Sequence, residues 1–253
     1  MKRKRLLILG IVALLFSVTA CNHVSKETLK QYDLAKRYKK EGNYEKAVEH
    51  YKLAADKDYA PAQNSLGVCY ENGQGVERDP VQAVEWYKLA AKQGYANAQC
   101  NLGVCYENGE GVEKDYKEAV KWYKLAAKQG LANAQCNLGY CYDKGKGVWQ
   151  DDQEAVRWYK LAAKQGYALA QHNLGDCYAK GEGVEEDDKE AVKWFRLAAE
   201  QGYADAQYNL GYCYYDGKGV EQNYKEAVRW FRLAAQQGNA FAQQTLRILG
   251  ESY

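Results

Sequence analysis

The chain has 253 residues, 47% hydrophobic and 27% charged, with 35 basic against 33 acidic side chains, 23 Tyr, 2 Pro and 1 Met. Lys2, Arg3, Lys4 and Arg5 fall in a leader expected to be removed, which leaves 31 basic side chains (35 − 4) and a mature net charge of −2 (31 − 33). That balance gives no basic surface for nucleic acid, and the length would suit one or two ordinary domains or one elongated array.

The leader reads KRKR at residues 2–5, followed by a nearly unbroken apolar run from Leu6 to Val18. A charged start and a short apolar stretch make a targeting segment, too short for an ordinary membrane-spanning helix. It ends Val18-Thr19-Ala20-Cys21, which resembles a bacterial lipobox: an aliphatic residue, two small residues and a cysteine. The resemblance implies cleavage before Cys21, diacylglycerol on its sulfur and acylation of the new amino group, so Cys21 is the candidate lipidation site. Two or more acyl chains hold a protein on a bilayer where one does not. Asn22 in place of an aspartate implies, by the same resemblance, outer-membrane sorting if the cell is Gram-negative. Residues 1–20 are thus expected to be a lipoprotein signal peptide and 21–26 a lipidated tether at the bacterial cell envelope, periplasmic or surface-exposed.

From residue 27 onward the chain is dominated by repetition. Leu66, Leu102, Leu138, Leu174 and Leu210 recur at a step of 36 residues (102 − 66), as do Tyr70, Tyr106, Tyr142, Tyr178 and Tyr214. A fixed period of that size marks a solenoid whose units bury their apolar faces against one another. The first unit, about 27–57, places Leu34, Tyr38, Ala47, Val48, Tyr51 and Ala54 at helical spacing on both sides of a Gly42-Asn43 turn. Later units, about 60–94, 96–130, 132–166, 168–202 and 204–238, carry a longer loop between their helices. In the second, an A-helix stripe of Ala62, Leu66, Cys69 and Tyr70 stops at Asn72-Gly73, where glycine adopts the left-handed conformation without penalty. A B-helix starts at Asp79-Pro80, an acidic N-cap followed by proline at the first helical position. Asp115, Asp151, Asp187 and Asn223 hold the same cap position, and Glu118, Glu154, Glu190 and Glu226 three residues on predict capping boxes. Gly67, Gly103, Gly139, Gly175 and Gly211 are expected to face Ala83, Ala119, Ala155, Ala191 and Ala227 at close helix crossings. The last A-helix, within 240–250, has Arg247 in place of that glycine and no B-helix after it, so it reads as a C-terminal cap.

These residues resemble the Sel-one-like repeat family, a relative of the tetratricopeptide repeat. Its pattern is matched by Leu102-Gly103…Tyr106, Gly109…Gly111-Val112…Asp115 and Ala119…Trp122-Tyr123…Ala126-Ala127, and again in each of five full units. The first hairpin resembles a plain tetratricopeptide unit. The resemblance implies an all-α fold: a right-handed α-solenoid of stacked antiparallel helix pairs forming an open superhelix over residues 27–253.

The sequence carries little that points to chemistry. The Gly-x-Gly triplets follow a helix, not a strand, so they read as helix stops and loops rather than a nucleotide fingerprint. Cys69, Cys105, Cys141, Cys177 and Cys213 each precede the repeated Tyr and read as small core residues. Equivalent cysteines of neighbouring units would lie on helices about 8–10 Å apart, too far for a disulfide. Cys100, Cys136 and His172 sit one repeat apart and cannot converge on one metal ion. The histidines at 23, 50 and 172 lack local partners for nucleophilic catalysis. No cofactor, metal or catalytic group is expected. The secreted, cysteine-rich branch of the family pairs two cysteines eight residues apart, but the matching positions here are Lys92 and Lys128. Free thiols in an oxidising envelope are unusual.

By resemblance to tetratricopeptide arrays, the variable A-helix positions line the concave face. These are Asn64/Cys100/Cys136/His172/Tyr208, Val68/Val104/Tyr140/Asp176/Tyr212 and Glu71/Glu107/Asp143/Ala179/Tyr215. Tyr208, Tyr212 and Tyr215 stand at i, i+4, i+7, either as a contact site or as packing against the terminal helix. Trp149 replaces the Glu found at 77, 113, 185 and 221, as a contact point or as cover for a loop. The candidate partner-binding residues are therefore Tyr208, Tyr212, Tyr215, Tyr140, Asp176, His172 and Trp149. The expected function is a monomeric, lipid-anchored adaptor for a protein or peptide. Alternatives are a cell-wall or β-lactam-interacting enzyme of the cysteine-rich type, and a structural element of an envelope assembly.

Overall fold

A computed structural model describes residues 24–252; the leader, Cys21 and His23 lie outside the described residues. Within these, the chain forms thirteen α-helices and no strand. They fall into two compact units, 24–78 and 79–252.

The first unit holds α1 (Lys26–Lys40), α2 (Tyr44–Ala55) and α3 (Ala60–Asn72). Ser25 caps α1 by accepting from the Thr28 N–H, and Asn43 caps α2. The turn between them is tight because Gly42 takes φ +77°. Ala35, Ala47, Tyr51, Ala54 and Leu66 are buried.

The second unit alternates B and A helices: α4 (Pro80–Lys92), α5 (Ala96–Asn108), α6 (Tyr116–Lys128), α7 (Ala132–Lys144), α8 (Asp152–Lys164), α9 (Ala168–Lys180), α10 (Asp188–Glu200), α11 (Ala204–Asp216), α12 (Tyr224–Gln236) and α13 (Ala240–Ile248). Within this unit, helices adjacent in sequence pack on one another. This is the layered helix-pair solenoid that the 36-residue period predicts. Leu102, Leu138, Leu174, Leu210 and Leu246 are fully buried, each contributing about 1.5–3 kcal/mol relative to exposure.

Helix ends follow the expected caps in part. Asp115 accepts from the N–H groups of Lys117 and Glu118 at 2.8 and 3.1 Å, so the N-cap forms. The reciprocal half of the capping box does not. The Asp115 N–H donates instead to the Tyr106 carbonyl at 2.9 Å, across the loop. Glu118 pairs with Lys121 at 3.1 Å, and Glu154, Glu190 and Glu226 pair likewise with Arg157, Lys193 and Arg229. Such exposed pairs stabilise by about 0.3–0.5 kcal/mol each.

The helical glycines also meet something other than expected. A Cβ on Gly139 would stand 2.7 Å from the ring of Tyr159, and one on Gly103 2.6 Å from the ring of Tyr123. The small residue makes room for a buried B-helix aromatic; Ala155 and Ala227 approach only through their carbonyl oxygens, at 3.2 Å.

Each B-to-A corner holds a buried amide that the sequence reading passed over. Gln135 donates from Nε2 to the Ala127 carbonyl at 3.2 Å and accepts from Gln165 Nε2 at 2.8 Å. Gln99, Gln171 and Gln207 repeat the arrangement with Gln129, Gln201 and Gln237. A buried amide left unbonded costs roughly 1–3 kcal/mol, so these pairs tie each corner to its own register. The signal was available as two glutamines recurring 36 residues apart.

Candidate functional site

The three rows of variable A-helix positions have unequal fates. In the first row Cys100 and Cys136 are buried, at 2% and 1% exposure; the expectation that they face outward is corrected. The next repeat closes over them, with Asn137 Nδ2 4.0 Å from Cys100 Sγ and Asn173 Nδ2 4.0 Å from Cys136 Sγ. Burial pushes both thiols up to about 12. His172 is half-buried, its ring 5.9 Å from that of Phe195 and 5.2 Å from that of Tyr203. Tyr208 packs on Phe231 and on Phe241 of α13.

The second row carries the open face. Tyr140 and Tyr212 are exposed, Tyr212 to 46%. Asp176 lies between them in sequence register, and Asn209 Nδ2 donates to its Oδ1 at 3.1 Å and to His172 Nε2 at 3.2 Å. The His172 ring is also 3.9 Å from Asp176 Oδ2. Asn209 thus joins His172 to Asp176, and Tyr212 lines one cavity with Asp176 and Asn209.

In the third row Tyr215 is half-buried, edge-on to Tyr224. Of the three candidate tyrosines on α11, Tyr208 and Tyr215 pack against neighbouring rings and Tyr212 is left outward. Glu107 accepts from the Tyr123 hydroxyl at 2.8 Å and lies 3.5 Å from Lys146 Nζ. Lys146 in turn donates to the Tyr140 hydroxyl at 3.2 Å, over the Tyr140 ring at 4.5 Å. Burial first, then the Glu107 charge and hydrogen bond, raise the Tyr123 hydroxyl above the usual phenol range, so it remains a donor. Neither Glu107 nor Lys146 was singled out from the sequence as part of a pair, since 39 residues separate them.

Two cavities involve predicted residues. One of about 170 Å³ is lined by Asp176, Ala179, Asp188, Phe195, Asn209 and Tyr212, with Lys218 among its borders. The other, about 760 Å³, lies at the α7–α8 loop beside Tyr142, Val148 and Trp149. Trp149 is 95% exposed, so it covers no loop. Among the described residues no group of three or more His, Cys, Asp or Glu could hold a metal ion. No described helix is long and apolar enough to cross a membrane.

The geometry is that of a helix-pair repeat solenoid whose A-helix face varies between repeats. The chain belongs to the Sel1 repeat family, matched at residues 31–59, 60–95, 96–131, 132–167, 168–203 and 204–239, the first hairpin included. It is similar to a Sel1 repeat protein from Oxalobacter formigenes, 36% identical over 88% of this chain and 87% of that one, with a TM-score of 0.80. It is also similar to c5321, a protective antigen of uropathogenic Escherichia coli strains with an SLR fold, 38% identical over 88% of this chain, with a TM-score of 0.79. The match spans 48% of that longer protein. No curated protein matches the chain. Sel1 repeat solenoids are generally protein-interaction scaffolds and typically non-catalytic.

Proposed function

We propose that this chain is a monomeric, lipid-anchored adaptor that holds a protein or peptide partner against its A-helix face at the bacterial cell envelope. One observation carries the reading. The core position is Leu at 102, 138, 174 and 210, while the neighbouring outward position runs Val104, Tyr140, Asp176, Tyr212. A surface that changes from repeat to repeat on an unchanging core is what recognition of an irregular partner requires. Tyr212, Tyr140, Asp176 and the exposed Trp149 are the contact residues; Cys21 supplies the anchor.

Photo-crosslinking in cells tests this. A photoreactive residue at Tyr212 or Trp149 is expected to capture a discrete partner, and one at Lys121 or Arg157 on a B-helix to capture none. Capture from the B-helix sites alone would reverse the assignment of the face. In the same cells Cys21→Ala is expected to shift the protein from the membrane to the soluble fraction; unchanged membrane association would remove the anchor.

A further inference from the structure

Two repeats of this chain contain the same site in different states. A shift of 72 residues (176 − 104) relates Val104, Glu107, Tyr116, Tyr123, Tyr140 and Lys146 to Asp176, Ala179, Asp188, Phe195, Tyr212 and Lys218. In the earlier copy a cation is held internally. Lys146 lies 4.5 Å over the Tyr140 ring and 5.3 Å from the Tyr116 ring, and it pairs with Glu107, itself fixed by the Tyr123 hydroxyl.

The later copy lacks the carboxylate that pairs with that lysine and the hydroxyl that fixes the carboxylate. Glu107 is replaced by Ala179, and Tyr123 by Phe195, which has no hydroxyl. Lys218 is exposed, and its side chain makes no hydrogen bond or ion pair among the described residues. What remains is the cavity of about 170 Å³ with an apolar floor of Ala179, Ala191 and Phe195. Its other lining groups include the carboxylates of Asp176 and Asp188 and the ring of Tyr212. The Asp188 side chain makes no hydrogen bond or ion pair among the described residues, and the Tyr212 ring is the counterpart of the one that covers Lys146.

We propose that this cavity receives a cationic side chain, arginine or lysine, from an extended segment of the partner. The aliphatic stem would lie on Ala179 and Phe195, and the charged end would meet Asp176 and Asp188 under the Tyr212 ring. Charge decides between occupants. Two carboxylates against one ammonium favour a cation, whereas an acidic occupant would set three anions against Lys218. Carboxylate pairing and an aromatic face are the two means by which proteins hold such groups. The inference rests on the groove reading above and names the partner chemistry it would select.

The test is a titration of the ¹⁵N-labelled purified protein with capped single amino acids, followed by backbone amide shifts. N-acetyl-arginine methylamide is expected to shift amides of residues 176–179, 188–195 and 209–218, with a Kd on the order of 1 mM for a ligand of that size. Capped glutamine is expected to bind at least tenfold more weakly, and capped glutamate to give no shifts there. Asp188→Asn is expected to weaken arginine at least fivefold. Ala179→Glu with Phe195→Tyr rebuilds the internal site of the earlier repeat; it is expected to draw Lys218 inward and abolish arginine binding without lowering Tm. Absence of arginine shifts, equal binding of glutamate, or full binding by the folded double variant would each overturn the proposal. A partner captured through Tyr212 without an arginine response removes the cation and leaves the groove; an arginine response without capture does the reverse.

Discussion

Gly147→Ala is expected to destabilise the protein by about 3–5 kcal/mol, whereas Gly130→Ala should cost about 1–2 kcal/mol. Both glycines have positive φ, +71° and +89°, so both substitutions carry the left-handed strain of an L-residue. The difference lies in what surrounds them. Nothing stands within 4 Å of a Cβ on Gly130, but one on Gly147 would lie 2.2 Å from the Tyr116 carbonyl oxygen. That neighbour is backbone, at the start of α6 in the preceding repeat, and it cannot swing aside as a side chain could. Gly111, Gly183 and Gly219 meet Pro80, Asp152 and Asp188 in the same way. Urea denaturation followed by circular dichroism would measure the two costs. Hydrogen exchange should show the loss concentrated at the start of α6 and in the 145–151 loop, because a solenoid's stability is the sum of its neighbour contacts. Equal costs for the two variants would show that the second loop glycine is a turn residue only.

That contact marks where the sequence stops being informative. The Gly-x-Gly triplet was legible as a helix stop, and Gly109, Gly145, Gly181 and Gly217 do end the A-helices in the left-handed conformation. The partner of the second glycine lies in another repeat, and local spacing says nothing about it. The same limit separates the right and wrong readings elsewhere. Leu138 and Ala126 were legible as core because their period and their face are properties of one helix. Cys100 shares a stripe with Val104, yet it sinks under Asn137 of the next repeat, a fact set by helix stacking. Gly139 was visibly a close-approach site, but whether Ala155 or Tyr159 fills it depends on the crossing geometry. Glu118 had the spacing of a capping box, and lost that role because the Tyr106 carbonyl already takes the Asp115 N–H. For the candidate site, identities such as Asp176 and Tyr212 were readable from their variation. That they line one cavity with Asn209, Asp188 and Lys218 required the fold to bring successive repeats together.

Cys100, Cys136, Cys141 and Cys177 are expected to resist a thiol reagent at pH 8 by at least about a thousandfold relative to an unperturbed cysteine. Burial raises each from 9.0 to about 12, and three pH units remove about a thousandfold of the reactive thiolate. Cys213 is half-buried and raised only to about 11, so it should be modified ahead of those four, at about ten times the rate that ionisation sets for them. Reaction with an aromatic disulfide, mapped by mass spectrometry, would give that order, and unfolding in guanidinium should make all of these thiols fast. Rapid modification of Cys136 in the folded protein would contradict the burial argument. The same shifts fix a sign for stability. Each thiol has its folded value above its unfolded one, so the unfolded chain releases its proton first as pH rises. Stability should therefore be steady to about pH 8 and decline from about pH 9 toward 12, with the buried tyrosines acting in the same direction. Oxidation also proceeds through the thiolate. Packing thus keeps the buried cysteines protonated and covered, and a solenoid loosened by Gly147→Ala should lose that protection first at Cys141, on the helix that leads into the altered loop.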